Sequence, residues 1–332
     1  MKLEFPGFVD LQVNGFAGVD FNTPGQPPDR ISGAVRAMRA TGVTLCLPTL
    51  ITSSFETFAA CARALVAARE AAVRGLHMEG PYISPLDGPR GAHPVGHVLP
   101  ASVDDFARRQ DAAEGCIVLV TLAPEAPGAL ALIEHLVGRG VRVGLGHTAA
   151  TSALIEDAVR AGATLSTHLG NGCATTFDRH ENPIWAQLAA DGLSASFVAD
   201  GIHLPPAVLK AMVRAKGAGR SLLVTDAMAA AAAPPGRFRL GELDVERDAD
   251  GRVGLPGTEH LAGSALTMDR AVANTARFAD MTIDEVLPLA TTQPARAIGA
   301  VPRGRVTAEW DPEAGRLVIL SVTEGETPER SG

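Results

Sequence analysis

The chain has 332 residues, 46% of them hydrophobic, a mean hydropathy of +0.14 and a formal net charge of −8. That length suits one large domain with a small appendage, and the apolar fraction can fill a sizeable core. No unbroken apolar stretch of about 18 residues is present, which argues against a membrane span, and the acidic balance without basic runs argues against nucleic-acid binding.

The first seven residues, Met1 to Gly7, lead almost directly into an apolar run and show no basic segment followed by an apolar one. No secretory leader is therefore expected. Cys46, Cys61, Cys116 and Cys173 are scattered, with no Cys-x-x-Cys spacing. That pattern speaks against a disulfide framework or a thiolate zinc site and fits a reducing, cytoplasmic setting.

In chain order, strand-like apolar runs fall at 8–13, 43–48, 73–78, 117–122, 141–146, 164–167, 196–199 and 222–225. They show little alternation, as parallel strands covered on both faces do. Helix-like segments lie between them at 29–40, 55–72, 102–113, 127–139, 151–161, 182–190 and 205–215. Ser54, Ser102 and the Pro205-Pro206 pair are candidate helix starts. Gly42, Gly140, Gly162 and Gly217 follow helix ends, where a left-handed residue is commonly needed. Eight strands alternating with helices predict an α/β chain folded as a (β/α)8 barrel. A doubly wound sheet would call for a Gly-rich phosphate loop after the first strand, and none occurs.

Beyond the eighth run the rhythm changes. Residues 234–257 read as a β-rich excursion, followed by helices at about 267–278 and 283–289 and a last strand at 316–322. The alanine run at 229–233 fits a mobile loop over the barrel mouth or a short helix. This divides the chain into a barrel over 1–302, excursion included, and a C-terminal β remnant and tail over 303–332.

Parallel barrel strands bring their C-terminal ends to one mouth, so residues far apart in sequence can share a site. Glu79, His147, His168, His203 and Asp226 all fall at such ends. One Glu and two His provide three ligands for a divalent metal with a position left for water. Such an ion acidifies bound water and polarises a carbonyl. Asp226, after the eighth strand, is placed to move protons. His203 can bind substrate or serve as a third imidazole ligand. His93, in a Gly/Pro-rich loop after Glu79, is a candidate oxyanion donor. His77 reads as structural, and His97, His135, His180 and His260 as ordinary.

Seven stretches together resemble the amidohydrolase superfamily and, within it, the one-metal branch of the N-acetylglucosamine-6-phosphate deacetylases. They are PGFVDLQVNGFAGVDF from Pro6, HMEGPYISPLDGPRGAH from His77, GHTAAT from Gly146, THLGN from Thr167, ADGIHL from Ala199, LVTDAM from Leu223 and LAGSALTMDRAV from Leu261. Many members of the superfamily have His-x-His after the first strand and hold two metals; here Gln12-Val13-Asn14 stands instead. The resemblance implies one metal on Glu79, His147 and His168, zinc first, with iron, manganese or cobalt as alternatives. It implies Asp226 as general acid/base, and Ala92 and His93 against the acetyl group or sugar. Asn171 and Gly172 would line the phosphate pocket, with His203 and Arg179 on the phosphate and Leu261 closing the sugar side. In the family that Arg can come from a partner subunit, which implies a homodimer acting on an amino sugar phosphate.

The sequence departs from the family pattern in three places. Gly170-Asn171-Gly172-Cys173 replaces an aromatic-Asn-Ala-Met run, and 175–187 is unlike the family. The chain enters the first barrel strand without the N-terminal strands of the usual small sandwich, which predicts a reduced β-sandwich remnant. Ala308-Glu309-Trp310-Asp311-Pro312 replaces the usual C-terminal Gly-x-x-Ala-Asp. Alternatives to glucosamine-6-phosphate chemistry are therefore N-acetylgalactosamine-6-phosphate, an unphosphorylated amide, or a non-catalytic sugar-phosphate binder.

Overall fold

A computed structural model describes residues 1–323. Eight parallel strands run Phe8–Val13, Val43–Ile51, Leu76–Glu79, Ile117–Leu122, Arg142–Leu145, Leu165–Ser166, Ser194–Val198 and Ser221–Val224. Each is hydrogen-bonded to its neighbour in sequence, with helices between successive strands. The eighth returns to the first through a parallel bridge between Val13 and Ala227. Two backbone bonds reinforce that seam, Asp226 N–H to Gln12 O (2.9 Å) and Asn14 N–H to Ala227 O (2.6 Å). All six residues of the first strand and all four of the third are buried. Burial on both faces is why these runs do not alternate.

The seam also carries a buried carboxylate. Asp10 accepts from the Thr225 hydroxyl (2.5 Å) and from the Thr225 and Gln12 amides. Burial raises its pKa to about 7 against those donors. Asp10 thus ties strand one to strand eight directly below the mouth.

The helices form where capping and periodicity agree. The Ser54 side chain accepts from the Thr57 amide and that of Ser102 from the Asp105 amide, each satisfying an otherwise orphaned donor at a helix start. Met268–Ala279 buries Met268, Ala271, Val272, Thr275, Ala276 and Ala279, a stripe at helical spacing laid on the barrel. The short helix Thr292–Ala297 has no counterpart in the sequence reading, because two turns offer too little periodicity to see.

Two expectations need correction. Lys2–Pro6 does not simply lead into the barrel; it is a strand paired antiparallel with Arg305–Asp311, which pairs in turn with Arg316–Thr323. This three-stranded sheet buries Phe5, Val306, Ala308, Trp310 and Leu317. The five residues 2–6 are too short and too mixed in polarity to reveal the strand in sequence. The alanine run, for its part, is neither a mouth loop nor a helix. Ala229, Ala230 and Ala231 are buried in a turn whose carbonyls at 229 and 231 accept from Gly18 and Ala17. Their small side chains let the hairpin of Gly15–Phe16 and Val19–Asp20 approach, and Ala229 and Ala230 pack with Leu240, Val245 and Val253 of the β-rich excursion. That excursion is a three-stranded antiparallel sheet of Gly236–Leu240, Leu243–Arg247 and Val253–Gly254.

Lys216 is buried in the helix Pro206–Lys216, and its ammonium donates to the carbonyls of Gln187 and Ala190 at 2.8 Å each. It therefore closes the C-terminal end of the helix Pro183–Ala189. Lys216→Met keeps the length but orphans these carbonyls. The expected loss is about 2–3 kcal/mol, read from the denaturant midpoint; an unchanged midpoint contradicts the role.

Candidate active site

Three of the chemistry-bearing residues share one local geometry. His147, His168 and Asp226 each lie two residues beyond the end of a barrel strand, and each has a left-handed backbone, with φ of 51°, 31° and 49°. That conformation costs a non-glycine residue about 1–2 kcal/mol. Fixed hydrogen bonds hold it in place. Ser84 N–H donates to His147 O (2.9 Å), His168 N–H to Ser196 Oγ (2.8 Å), and Ser264 N–H to Asp226 O (2.8 Å). The sharp turn at each strand end is what aims these side chains into the mouth.

Glu79, the last residue of the third strand, meets both imidazoles there. Its Oε1 lies 2.9 Å from His168 Nε2 and 3.2 Å from His147 Nε2, and the two nitrogens are 3.1 Å apart. One donor atom from each of the three buried residues falls within 4.8 Å of the others. Burial opposes the charge on Glu79, but the two imidazoles hold it well below the usual carboxylate range.

The surrounding contacts fix the orientation of this cluster. His147 Nδ1 donates to the Pro89 carbonyl (2.9 Å), which turns Nε2 toward Glu79 and His168. Gln12 Nε2 donates to Glu79 Oε1 (2.9 Å). Gly172 lies flat against the His147 ring: a Cβ there would come within 2.8 Å of Nδ1, and its φ of 55° also favours glycine. Two imidazoles and one carboxylate converging in this way suit a borderline divalent cation such as zinc, and equally iron, manganese or cobalt.

Asp226 faces the same space. Its Oδ1 accepts from Asn14 Nδ2 at 2.7 Å. Burial, then the charge of Glu79, raise its pKa to about 6, against the pull of His168, His203 and Asn14. A carboxyl group poised there can both take and give a proton near neutrality. His93 is buried, its ring centroid 4.2 Å from that of His147 and its Nδ1 2.8 Å from Thr52 Oγ1. Burial pushes its pKa down to about 3, so it is a neutral imidazole. In the tautomer in which the Thr52 hydroxyl donates to Nδ1, the ring hydrogen sits on Nε2.

These residues line one cavity of roughly 390 Å³. Ala92, Asn171, Gly172, His203 and Leu261 line it too, so the structure brings together all but one of the residues singled out in sequence. His203 lies outside the Glu79–His147–His168 cluster; its Nδ1 is held by Asp200 Oδ2 at 2.6 Å, which supports the substrate-facing alternative over the ligand one. Arg179 does not line the cavity. It sits on an exposed segment, 175–181, where Asp178 Oδ1 accepts from the His180 and Glu181 amides. Among the described residues, no Lys or Arg lines the cavity.

Sequence reasoning missed Gln12 and Asn14 as participants, noting them only as a departure from His-x-His. The available signal was their place at the end of the first strand. His260, set aside as ordinary, lines the cavity with Glu259. His77 lies below the site, its Nε2 2.7 Å from Thr121 Oγ1 and its Nδ1 3.1 Å from Leu11 O. Burial lowers its pKa to about 4, which fits a structural part.

Residues 4–312 match the amidohydrolase family. The chain belongs to that family. This amidohydrolase is 33% identical over 328 residues to N-acetylglucosamine-6-phosphate deacetylase of Bacillus subtilis, covering 95% of this chain and 80% of the relative. It is 32% identical over 303 residues to N-acetylgalactosamine-6-phosphate deacetylase of Escherichia coli O157:H7, covering 90% and 78%. Among solved structures, N-acetyl-D-glucosamine-6-phosphate deacetylase from Mycobacterium smegmatis, in complex with N-acetyl-D-glucosamine-6-phosphate, superposes with a TM-score of 0.89 at 31% identity. That match covers 97% of this chain and 86% of the other.

Proposed function

We propose that this amidohydrolase removes the acetyl group from an N-acetylated amino sugar 6-phosphate, N-acetylglucosamine-6-phosphate first, giving acetate and the free amine. The observation that carries the reading is Asp226 sharing one cavity with the Glu79–His147–His168 cluster, in a chain a third identical to deacetylases over most of its length. A divalent cation on those three residues, zinc in our reading, would supply carbonyl polarisation and an acidified water. Asp226 takes the proton of the attacking water and returns it to the nitrogen as the C–N bond breaks. His93 Nε2–H donates to the oxygen on which negative charge grows. Ala92 and Leu261 flank the acetyl group and sugar, and Asn171, Gly172 and His203 face the phosphate.

The catalytically competent base is ionised Asp226. With its pKa raised to about 6, kcat/KM is expected to fall about tenfold per pH unit below that inflection as the carboxylate protonates. A bound cation moves the inflection lower. A pH–rate profile checks this, and a rate that rises toward acid contradicts it.

The phosphate contact of Arg179 belongs to a homodimer in this reading. The segment carrying Arg179 also exposes Phe177 (41%), with Trp185 (56%) close by in sequence, a surface suited to a second copy. Four free cysteines fit a cytoplasmic enzyme. A second reading, an unphosphorylated N-acetyl substrate, is favoured by the lack, among the described residues, of a Lys or Arg in the cavity wall. Parallel rates on N-acetylglucosamine-6-phosphate, its galactosamine epimer and plain N-acetylglucosamine decide between them. Turnover confined to phosphate esters supports the first, and equal turnover of the plain sugar supports the second.

A further inference from the structure

Asn14 lies one residue past the first barrel strand and is held from both sides of its backbone. Its N–H donates to Ala227 O (2.6 Å), and its carbonyl accepts from the Phe21 amide (2.9 Å) and Asn22 Nδ2 (3.3 Å). The side chain is buried and lines the cavity beside Asp226. Its Nδ2 donates to Asp226 Oδ1 at 2.7 Å, whereas its own Oδ1 is buried and, among the described residues, has no hydrogen-bond partner. The amide cannot profitably turn over, since that would set its oxygen against the Asp226 carboxylate. A buried acceptor without a partner costs about 1–3 kcal/mol, and such groups in native structures call for an explanation.

We propose that Asn14 Oδ1 accepts a hydrogen bond from the N–H of the substrate's scissile amide and so positions that nitrogen against Asp226. The inference rests on the deacetylase reading. In the reaction a water oxygen forms the new C–O bond and the C–N electron pair leaves with nitrogen. The proton that Asp226 removed from water goes to nitrogen, and the hydrogen held by Asn14 stays there throughout, so the product is a primary amine. As nitrogen becomes tetrahedral, its N–H and its lone pair point to different corners. An acceptor fixed to the N–H therefore fixes where the lone pair points, and Asn14 is bonded to the very group that protonates it. One amide thus holds the proton donor through Nδ2 and the leaving nitrogen through Oδ1.

The test compares an amide with an ester. N-acetylglucosamine-6-phosphate and 2-O-acetylglucose-6-phosphate carry the same acyl group, but the ester has no N–H. Wild type should release acetate from both, because an ester carbonyl is less stabilised by resonance than an amide carbonyl and its attack by water is easier. Asn14→Ala is expected to lose about 100-fold in kcat/KM on the amide and about tenfold or less on the ester. The metal content should be unchanged. An equal loss on both substrates overturns the proposal and leaves Asn14 acting only through Asp226. A wild type inert on the amide overturns the deacetylase reading as well. Should Asn14→Ala not fold, Asn14→Ser, which can still donate to Asp226, carries the same comparison.

Discussion

Asp226→Asn is expected to fold, to bind metal and to lose about 10³–10⁴-fold in turnover. Folding should survive because asparagine tolerates the left-handed backbone that residue 226 adopts (φ 49°). Its side-chain oxygen can also still accept from Asn14 Nδ2, replacing the 2.7 Å bond. The seam bonds through the 226 backbone, to Gln12 O and from Ser264 N–H, do not involve the side chain. Metal should survive because Asp226 lies outside the Glu79–His147–His168 cluster. In the proposed mechanism the variant loses only the capacity to take a proton from water and return it to nitrogen. Initial rates alongside metal analysis and thermal unfolding separate these effects. Activity within tenfold of wild type contradicts the role given to Asp226.

Glu79→Gln should act one step earlier, on the metal. Glu79 is the single anion of the cluster, and its Oε1 is the point on which His147, His168 and Gln12 converge. Neutralising it leaves a dication facing two imidazoles with no compensating charge, so metal affinity should drop by about 100-fold or more. Activity should fall in parallel and recover in part at high metal concentration. Competition against a chelator of known affinity measures the shift. An unaltered metal content after dialysis contradicts the assignment of Glu79.

Both predictions rest on residues that sequence could place, because barrel topology makes strand ends converge whatever their spacing along the chain. Glu79, His147, His168 and Asp226 stood out by falling at those ends with the right side chains. What sequence could not supply was pairing between side chains remote in the chain. Asn14 and Gln12 looked like missing ligands, and only the closed barrel brings them against Asp226 and Glu79, 212 and 67 positions away. The same holds for Lys2–Pro6, a short mixed run whose partner lies at the far end of the chain. Ala229 to Ala231 read as loop or helix because alanine suits either, and the turn at Ala17 and Gly18 that bonds to them lies more than 200 positions away. Arg179 matched a family position, and it lies on an exposed segment outside the lining of its own chain's cavity.

The most direct test is acetate release from N-acetylglucosamine-6-phosphate by protein of known metal content, with the free amine counted alongside. The account predicts equal amounts of acetate and amine, turnover proportional to bound metal, and its loss and return on chelation and reloading. Stoichiometric metal with no acetate from this substrate, its epimer or the unphosphorylated sugar would contradict it.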